Sequence, residues 1–137
     1  MNMRASILAS MFIIALAAVV IYRETTKVSQ GLIAEARGRA TRDHKFLTVE
    51  FGAAWCSDCA QLSKSLEDER RRVQFKKGFD LLYVDVGEFD RNLDIAKSLG
   101  IDVTEAIPTA AFFPPNSDHP LVKRGTNQIL GFIDAGY

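Results

Sequence analysis

Cysteine and histidine are scarce in this 137-residue chain, which has two of each. Two cysteines exclude a disulfide-dense scaffold, because such scaffolds need four or more. The nine glycines and four prolines are too few for a collagen-like or disordered chain. Net charge is also lacking, since 17 Lys and Arg balance 17 Asp and Glu, so the composition gives no reason to expect nucleic acid as a partner.

An uncharged apolar run of 18 residues, from Ala5 to Tyr22, stands between Arg4 and Arg23. As a helix it would reach about 27 Å, close to the roughly 30 Å hydrocarbon core of a bilayer. It could be a membrane anchor, a cleaved signal peptide with a cleavage site at Ala15-Leu16-Ala17, or a buried core helix. The run has no polar face and continues past the cleavage site. We therefore predict one uncleaved transmembrane helix.

Four segments follow from this run: an N-terminal tail at 1–4, the anchor or signal segment at 5–22, a polar tether with a first helix at 23–45, and a folded domain at 46–137. More basic residues follow the run than precede it, so the positive-inside rule read literally places the domain in the cytoplasm. Long domains translocate largely regardless of charge. We expect an exported, periplasmic or extracytoplasmic domain that stays membrane-anchored.

Hydrophobic periodicity predicts four strands alternating with helices. The predicted strands are 46–52, 80–86, 109–113 and 120–124. The first predicted helix lies near 28–36 and is capped by Ser29 or Thr26. One long helix runs from the second cysteine past Val73, and a short helix at 92–99 and a terminal helix at 128–135 follow. Strands that alternate with helices pair in parallel, whereas the last two strands, joined by a tight turn, are antiparallel. The expected fold is α/β, a mixed four-stranded sheet flanked by helices on both faces.

The two cysteines, Cys56 and Cys59, lie at the junction between a strand and a helix. This spacing puts both sulfurs on one side of a helical turn. Free N–H groups and the helix dipole at a helix N-terminus favour the thiolate, which is both nucleophile and leaving group in disulfide exchange. We predict that Cys56 attacks substrates and Cys59 resolves the mixed disulfide. Trp55 would shield the pair and offer a flat apolar surface to a substrate chain.

Other uses of the cysteine pair are disfavoured. A zinc site normally needs four ligands, and His44 and His119 lack a suitable spacing. A purely structural disulfide across four residues would contribute little. A copper(I) chaperone would suit soft thiolates, but the tryptophan and the helix start suit disulfide exchange better. A CxxC pair near a βαβ pattern is a recognised redox signature. We therefore expect no metal and no cofactor.

The segments VEFGAAWCSDC, YVDV, AIPT and KRGT together resemble the thioredoxin superfamily, in particular its membrane-tethered or exported members. The resemblance covers roughly residues 46–137 and implies a thioredoxin-like fold. It also implies a nucleophilic Cys56 and a resolving Cys59. Pro108 resembles the family's cis-proline, which faces the cysteines and helps the backbone of Ile107 to bind a substrate strand.

Two further site residues follow from the resemblance. Gly125 matches a glycine beside the active site, where a side chain would crowd the substrate. Glu50 falls where the family carries a buried acidic residue, which could take the proton from Cys59. The alternative for Glu50 is a carboxylate that reaches water at the edge of the sheet.

The sequence departs from the family in two places. Asp58 stands between the cysteines, and its charge opposes a thiolate on Cys56, which argues against a strong oxidant. No lysine faces Glu50 from the second strand, and Tyr83 is the nearest equivalent. We expect a thiol–disulfide oxidoreductase that reduces protein disulfides and needs an electron-donor redox protein. The alternative is a binding module of the same fold that docks a partner protein without redox chemistry.

Overall fold

The computed structural model describes residues 28–136, which form one mixed sheet with helices on both faces. The helices are α1 (Gln30–Arg42), α2 (Ser57–Glu67), α3 (Glu69–Gly78), α4 (Leu93–Ser98) and α5 (Thr126–Asp134), and the strands are β1 (Phe46–Gly52), β2 (Phe79–Asp85), β3 (Thr109–Phe113) and β4 (Leu121–Arg124). No helix in this part of the chain is long and apolar enough to span a membrane. The tail, the apolar run at 5–22 and the first residues of the tether lie outside it.

The sheet order is β2-β1-β3-β4, with β1 parallel to β2 and β3 antiparallel to both neighbours. The four-stranded mixed sheet with flanking helices is confirmed. Parallel pairing of the third strand was wrong. Phe51, near the end of β1, lies beside Val84 near the end of β2 and opposite Thr109, the first residue of β3. The connection that contains α4 therefore does not return to the far end of the sheet, and β3 starts near the end at which β2 stopped.

Side-chain alternation along β1 separates two cores. One face carries Leu47, Val49 and Phe51 and packs against α1 and α4. The opposite face is covered by α2 and α5, through a cluster that includes Leu62 and Ile129. The first predicted helix is therefore an integral part of the packing, and Ser29 caps it by accepting a hydrogen bond from the Leu32 N–H.

The long helix predicted after the cysteines is two helices, with the break at Asp68. The backbone of Asp68 is extended there, and its carboxylate caps α3 by accepting a hydrogen bond from the Arg71 N–H at 3.3 Å. The break turns Val73 out to solvent, although the periodicity placed it on the buried face. Arg71 pairs with Asp134 of α5, not with Glu67 as an uninterrupted helix would favour.

Candidate active site

The cysteine pair lies where β1 ends and α2 begins, and the two sulfurs form a disulfide. Cys56 is the N-cap of α2, and its sulfur accepts a hydrogen bond from the Cys59 N–H at 3.1 Å. Both cysteines are buried. An N–H donor and the positive end of a helix both stabilise negative charge on sulfur. The position therefore suits Cys56 as a thiolate when the disulfide is open.

The segment before β3 faces this pair. The Ile107–Pro108 peptide bond is cis, as expected. The carbonyl oxygen of Ile107 lies 3.7 Å from the Cys56 sulfur. Gly125, which has a positive φ of 76°, donates its N–H to the carbonyl oxygen of Pro108 at 2.8 Å. The structure thus brings the backbone of Ile107, Pro108 and Gly125 to one edge of the cysteine pair.

Glu50 lies inside the protein, not at the edge of the sheet, with 4% of its surface exposed. One carboxylate oxygen, Oε1, has no hydrogen-bond partner among the described residues. Burial raises the pKa of Glu50 to about 7. A carboxyl group with that pKa can both accept and release a proton near neutral pH, which is what a general base for a thiol requires.

Tyr83 stands opposite Glu50 in the parallel register of β1 and β2. Its side chain lies across Gly52, because a Cβ added to Gly52 would be 3.0 Å from both the Tyr83 hydroxyl and the ring. The same point lies 3.3 Å from the Cys59 sulfur. Burial, followed by the charges of Asp85 and Glu50, raises the pKa of Tyr83 to about 12. The phenol therefore carries its proton throughout the neutral range.

Trp55 is 54% exposed beside the cysteines, yet its position is determined by two contacts. Its Nε1 donates a hydrogen bond to the Gly87 carbonyl at 2.8 Å, and its ring meets that of Phe89 edge to face at 5.6 Å. Both partners come from the loop after β2, where Gly87 and Phe89 have positive φ values. This loop holds the indole as a rigid apolar surface next to the pair.

Asp58 is exposed in the first turn of α2. Its backbone carbonyl accepts a hydrogen bond from the Thr126 hydroxyl at 3.0 Å, which ties the start of α2 to the start of α5. Across the site, Arg124 lies 3.6 Å from Glu105. Asp58 is thus an exposed negative charge next to Cys56, as its place in the sequence implies.

Seven of the eight residues assigned from the sequence form or flank the cysteine pair: Trp55, Cys56, Asp58, Cys59, Ile107, Pro108 and Gly125. The eighth, Glu50, is buried on the same face of β1 as Gly52, two residues before it. Sequence reasoning missed Gly52, Gly87, Phe89 and Thr126, whose contributions depend on contacts between distant segments. The sequence indicates Tyr83 only as the residue that replaces a lysine, and not as a neighbour of Cys59. Within residues 28–136, no group of three or more His, Cys, Asp or Glu side chains could hold a metal ion.

Comparisons with known proteins agree with the resemblance seen in the sequence. A family model described as thioredoxin-like matches residues 29–115. Among solved structures, a disulphide isomerase from Xylella fastidiosa Temecula1 is similar, with 28% identity, a TM-score of 0.63, and coverage of 75% of this chain and 86% of that chain. A poplar thioredoxin h has 23% identity, a TM-score of 0.59, and coverage of 78% and 89%. No curated protein matches the chain.

Proposed function

Because the chain belongs to the thioredoxin-like family, we propose that it is a thiol–disulfide oxidoreductase that reduces protein disulfides. The observation that carries the proposal is the disulfide-bonded pair itself. Cys56 caps α2, and its sulfur faces the Ile107 carbonyl beside a cis-proline. An arrangement of this kind offers a thiolate to a sulfur in an extended substrate chain.

The proposed cycle starts from the reduced pair. The Cys56 thiolate attacks one sulfur of a substrate disulfide, the substrate S–S bond breaks, and the second substrate sulfur leaves as a thiolate that takes a proton from water. Cys59 then attacks the Cys56 sulfur, which releases the first substrate sulfur as a thiol. The Cys56–Cys59 disulfide forms, and two electrons have passed to the substrate.

Glu50 would take the proton that Cys59 loses in the second step. Its support is the raised pKa and the burial of the carboxylate on the face of the sheet that α2 covers. A carboxylate near its pKa at neutral pH accepts a proton without a large energetic cost. The released substrate thiolate can then take this proton from Glu50, which regenerates the carboxylate and leaves the total charge of the site unchanged.

The substrate chain would bind along the backbone of Ile107 and Pro108, with Trp55 as an apolar surface on one side. Gly125 would leave room on the other side, where a side chain would crowd the substrate. The support for this arrangement is the position of these residues around Cys56, together with the exposure of the Trp55 ring.

The direction of electron flow is part of the proposal. Asp58 opposes a thiolate on Cys56, which removes one source of strong oxidising power. A reductant must itself be reduced after each cycle, so the proposal requires a dithiol redox protein as electron donor. We also propose that the apolar run at 5–22 anchors the chain to a membrane with the domain exported, on the strength of its length and lack of charge.

Two cysteine variants test the proposed cycle. Cys59→Ser should accumulate a mixed disulfide between Cys56 and a protein substrate, visible on a non-reducing gel and removed by dithiothreitol. Cys56→Ser should form no such adduct and should lose insulin reduction almost completely, because the attacking thiolate is gone. Full retention of cellular activity in Cys56→Ser would contradict the proposal and favour a binding module that docks a partner without redox chemistry.

The reduction potential of the pair tests the direction. A value near that of thioredoxin, about −270 mV, agrees with a reductant. A value near −120 mV, as in a strong oxidant, would contradict the proposed direction while leaving the thiol–disulfide chemistry intact.

A further inference from the structure

The space over Gly52 is shared by a phenol and a sulfur. A Cβ on Gly52 would meet the Tyr83 hydroxyl at 3.0 Å and the Cys59 sulfur at 3.3 Å. Contacts under about 3.4 Å are rare for real Cβ atoms, so a larger residue at position 52 would displace one of the two groups. Gly52 therefore permits the Tyr83 hydroxyl and the Cys59 sulfur to occupy the same small cavity.

The sheet places Tyr83 at this cavity. Tyr83 pairs with Glu50 in register, two residues before the position opposite Gly52, and its ring extends along the strand to reach Gly52. Tyr83 is 44% exposed, so part of the residue remains accessible to solvent while its hydroxyl lies close to Gly52.

We propose that the Tyr83 hydroxyl donates a hydrogen bond to the Cys59 thiolate once the disulfide is open. This inference rests on the proposed function for the identity of the attacking sulfur. Cys59 is buried, and a buried thiolate is costly unless a donor stabilises it. A phenol that stays protonated supplies a donor without taking up the proton that Cys59 gives to Glu50.

The charged groups around Cys59 are otherwise acidic or already paired. Glu50 is buried on the same face of β1 as Gly52, two residues before it. Asp85 ends β2 and is held by Arg91, with 3.0 Å between the two charged groups. Asp58 lies exposed in the first turn of α2. None of these three carboxylates favours a thiolate. A neutral hydrogen-bond donor beside Gly52 is therefore the group that would stabilise the Cys59 thiolate.

The test measures the pKa of Cys59 directly. In full-length Cys56→Ser, Cys59 is the only cysteine of the chain, so labelling with ¹³Cβ-cysteine gives one titrating signal. Adding Tyr83→Phe removes the hydroxyl and keeps the ring. One lost hydrogen bond to a charged group should raise the pKa of Cys59 by about one unit. An unchanged pKa would overturn the proposal.

Two controls locate the effect. Leu81→Ala alters the same face of β2 two residues away and should leave the pKa of Cys59 unchanged, so an equal rise there would assign the shift to general disturbance of the strand. In a Glu50→Gln background the effect of Tyr83→Phe should persist. If the effect disappeared, the Tyr83 hydroxyl would be donating its hydrogen bond to the Glu50 carboxylate and not to Cys59, which would contradict the proposal. The titration needs no catalytic activity, so it is independent of whether the chain reduces disulfides.

Discussion

The two ends of one sheet face are built for different tasks. At one end five phenylalanine rings form a connected cluster in which contacting pairs have ring centroids 4.3–6.3 Å apart. We call this set the aromatic end: Phe46, Phe75, Phe79, Phe112 and Phe132. At the other end lie the groups that we call the sulfur end: Glu50, Gly52, Cys56, Cys59 and Tyr83. Strand β1 contributes to both ends, with Phe46 at one and Glu50 at the other.

The difference lies in the kind of group that each end buries. The aromatic end buries apolar rings in edge-to-face and stacked contacts, and the unpartnered group beside it, the hydroxyl of Thr48 opposite Phe112, is neutral. The sulfur end buries a carboxylate oxygen without a partner and two sulfurs that must exchange. Along β1, the rings that stabilise the fold therefore lie about four residues away from the groups that are proposed to react. Changes at the two ends should separate stability from redox behaviour.

The largest loss of stability is expected for Phe112→Ala at the aromatic end. Phe112 is completely buried and contacts the rings of Phe79 and Phe132. Removing a buried phenylalanine side chain typically costs about 3–5 kcal/mol. Urea unfolding of the oxidised protein should show this loss, while the reduction potential of the pair should stay within error of the wild type. A shifted potential would show that the two ends are coupled.

Glu50→Gln at the sulfur end should change stability in the opposite direction. Because the folded protein raises the pKa of Glu50 to about 7, the stability that this group contributes is present below pH 4.5 and is lost as the pH rises through 7. The amide does not ionise, so the variant should be more stable than the wild type at pH 8, by up to about 3 kcal/mol. The two should converge near pH 4.5.

Urea unfolding of the oxidised proteins between pH 4.5 and pH 8 measures that difference. Glu35 of α1 is an exposed carboxylate, so Glu35→Gln serves as a matched control and should leave the pH dependence unchanged. A wild-type stability that does not fall between pH 5 and pH 8 would contradict a buried, ionising Glu50.

Trp55→Ala should have an intermediate effect on stability and a clear effect on substrate use. It removes an edge-to-face ring contact and one hydrogen bond, together about 1–2 kcal/mol. The indole lies at the rim of the sulfur end and is largely exposed, so KM for a protein disulfide should rise several-fold. The rate with a small linear disulfide, such as oxidised glutathione, should hardly change. An equal loss with both substrates would show that Trp55 positions Cys56 and does not bind the substrate chain.

Much of the sulfur end could be predicted from local sequence. The CxxC pair at a strand-to-helix junction, the carboxylate inside an apolar strand and the proline before a strand are all visible within a few residues. The contacts that could not be predicted join residues that are far apart in the sequence. Tyr83 comes to lie over Gly52 only through the register of β1 and β2, and Gly87 binds Trp55 from a loop 32 residues away.

Two errors in the fold have equally physical causes. The helical periodicity runs through Asp68 without interruption, but the capping hydrogen bond of Asp68 starts a new helix there. The direction of β3 depends on the end of the sheet to which the connection after β2 leads, and a pattern of alternating strands and helices does not specify that end. In both places, capping or geometry decided against the periodic pattern.

The smallest expected effect is that of Asp58→Asn, which changes charge at the sulfur end without changing shape. Asp58 is exposed, so solvent screens its repulsion of a thiolate on Cys56, and the pKa of Cys56 should fall by roughly half a unit or less. The rate of alkylation of Cys56 by iodoacetamide as a function of pH measures this shift. The shift should shrink in 1 M salt, because screening is then almost complete. Asp94→Asn, an exposed carboxylate on α4, controls for the loss of one negative charge. A fall of a full unit or more in the pKa of Cys56 that persists in 1 M salt would mean that Asp58 acts on Cys56 through a direct, poorly solvated contact. The redox behaviour of the sulfur end would then depend on this aspartate more than on its buried groups.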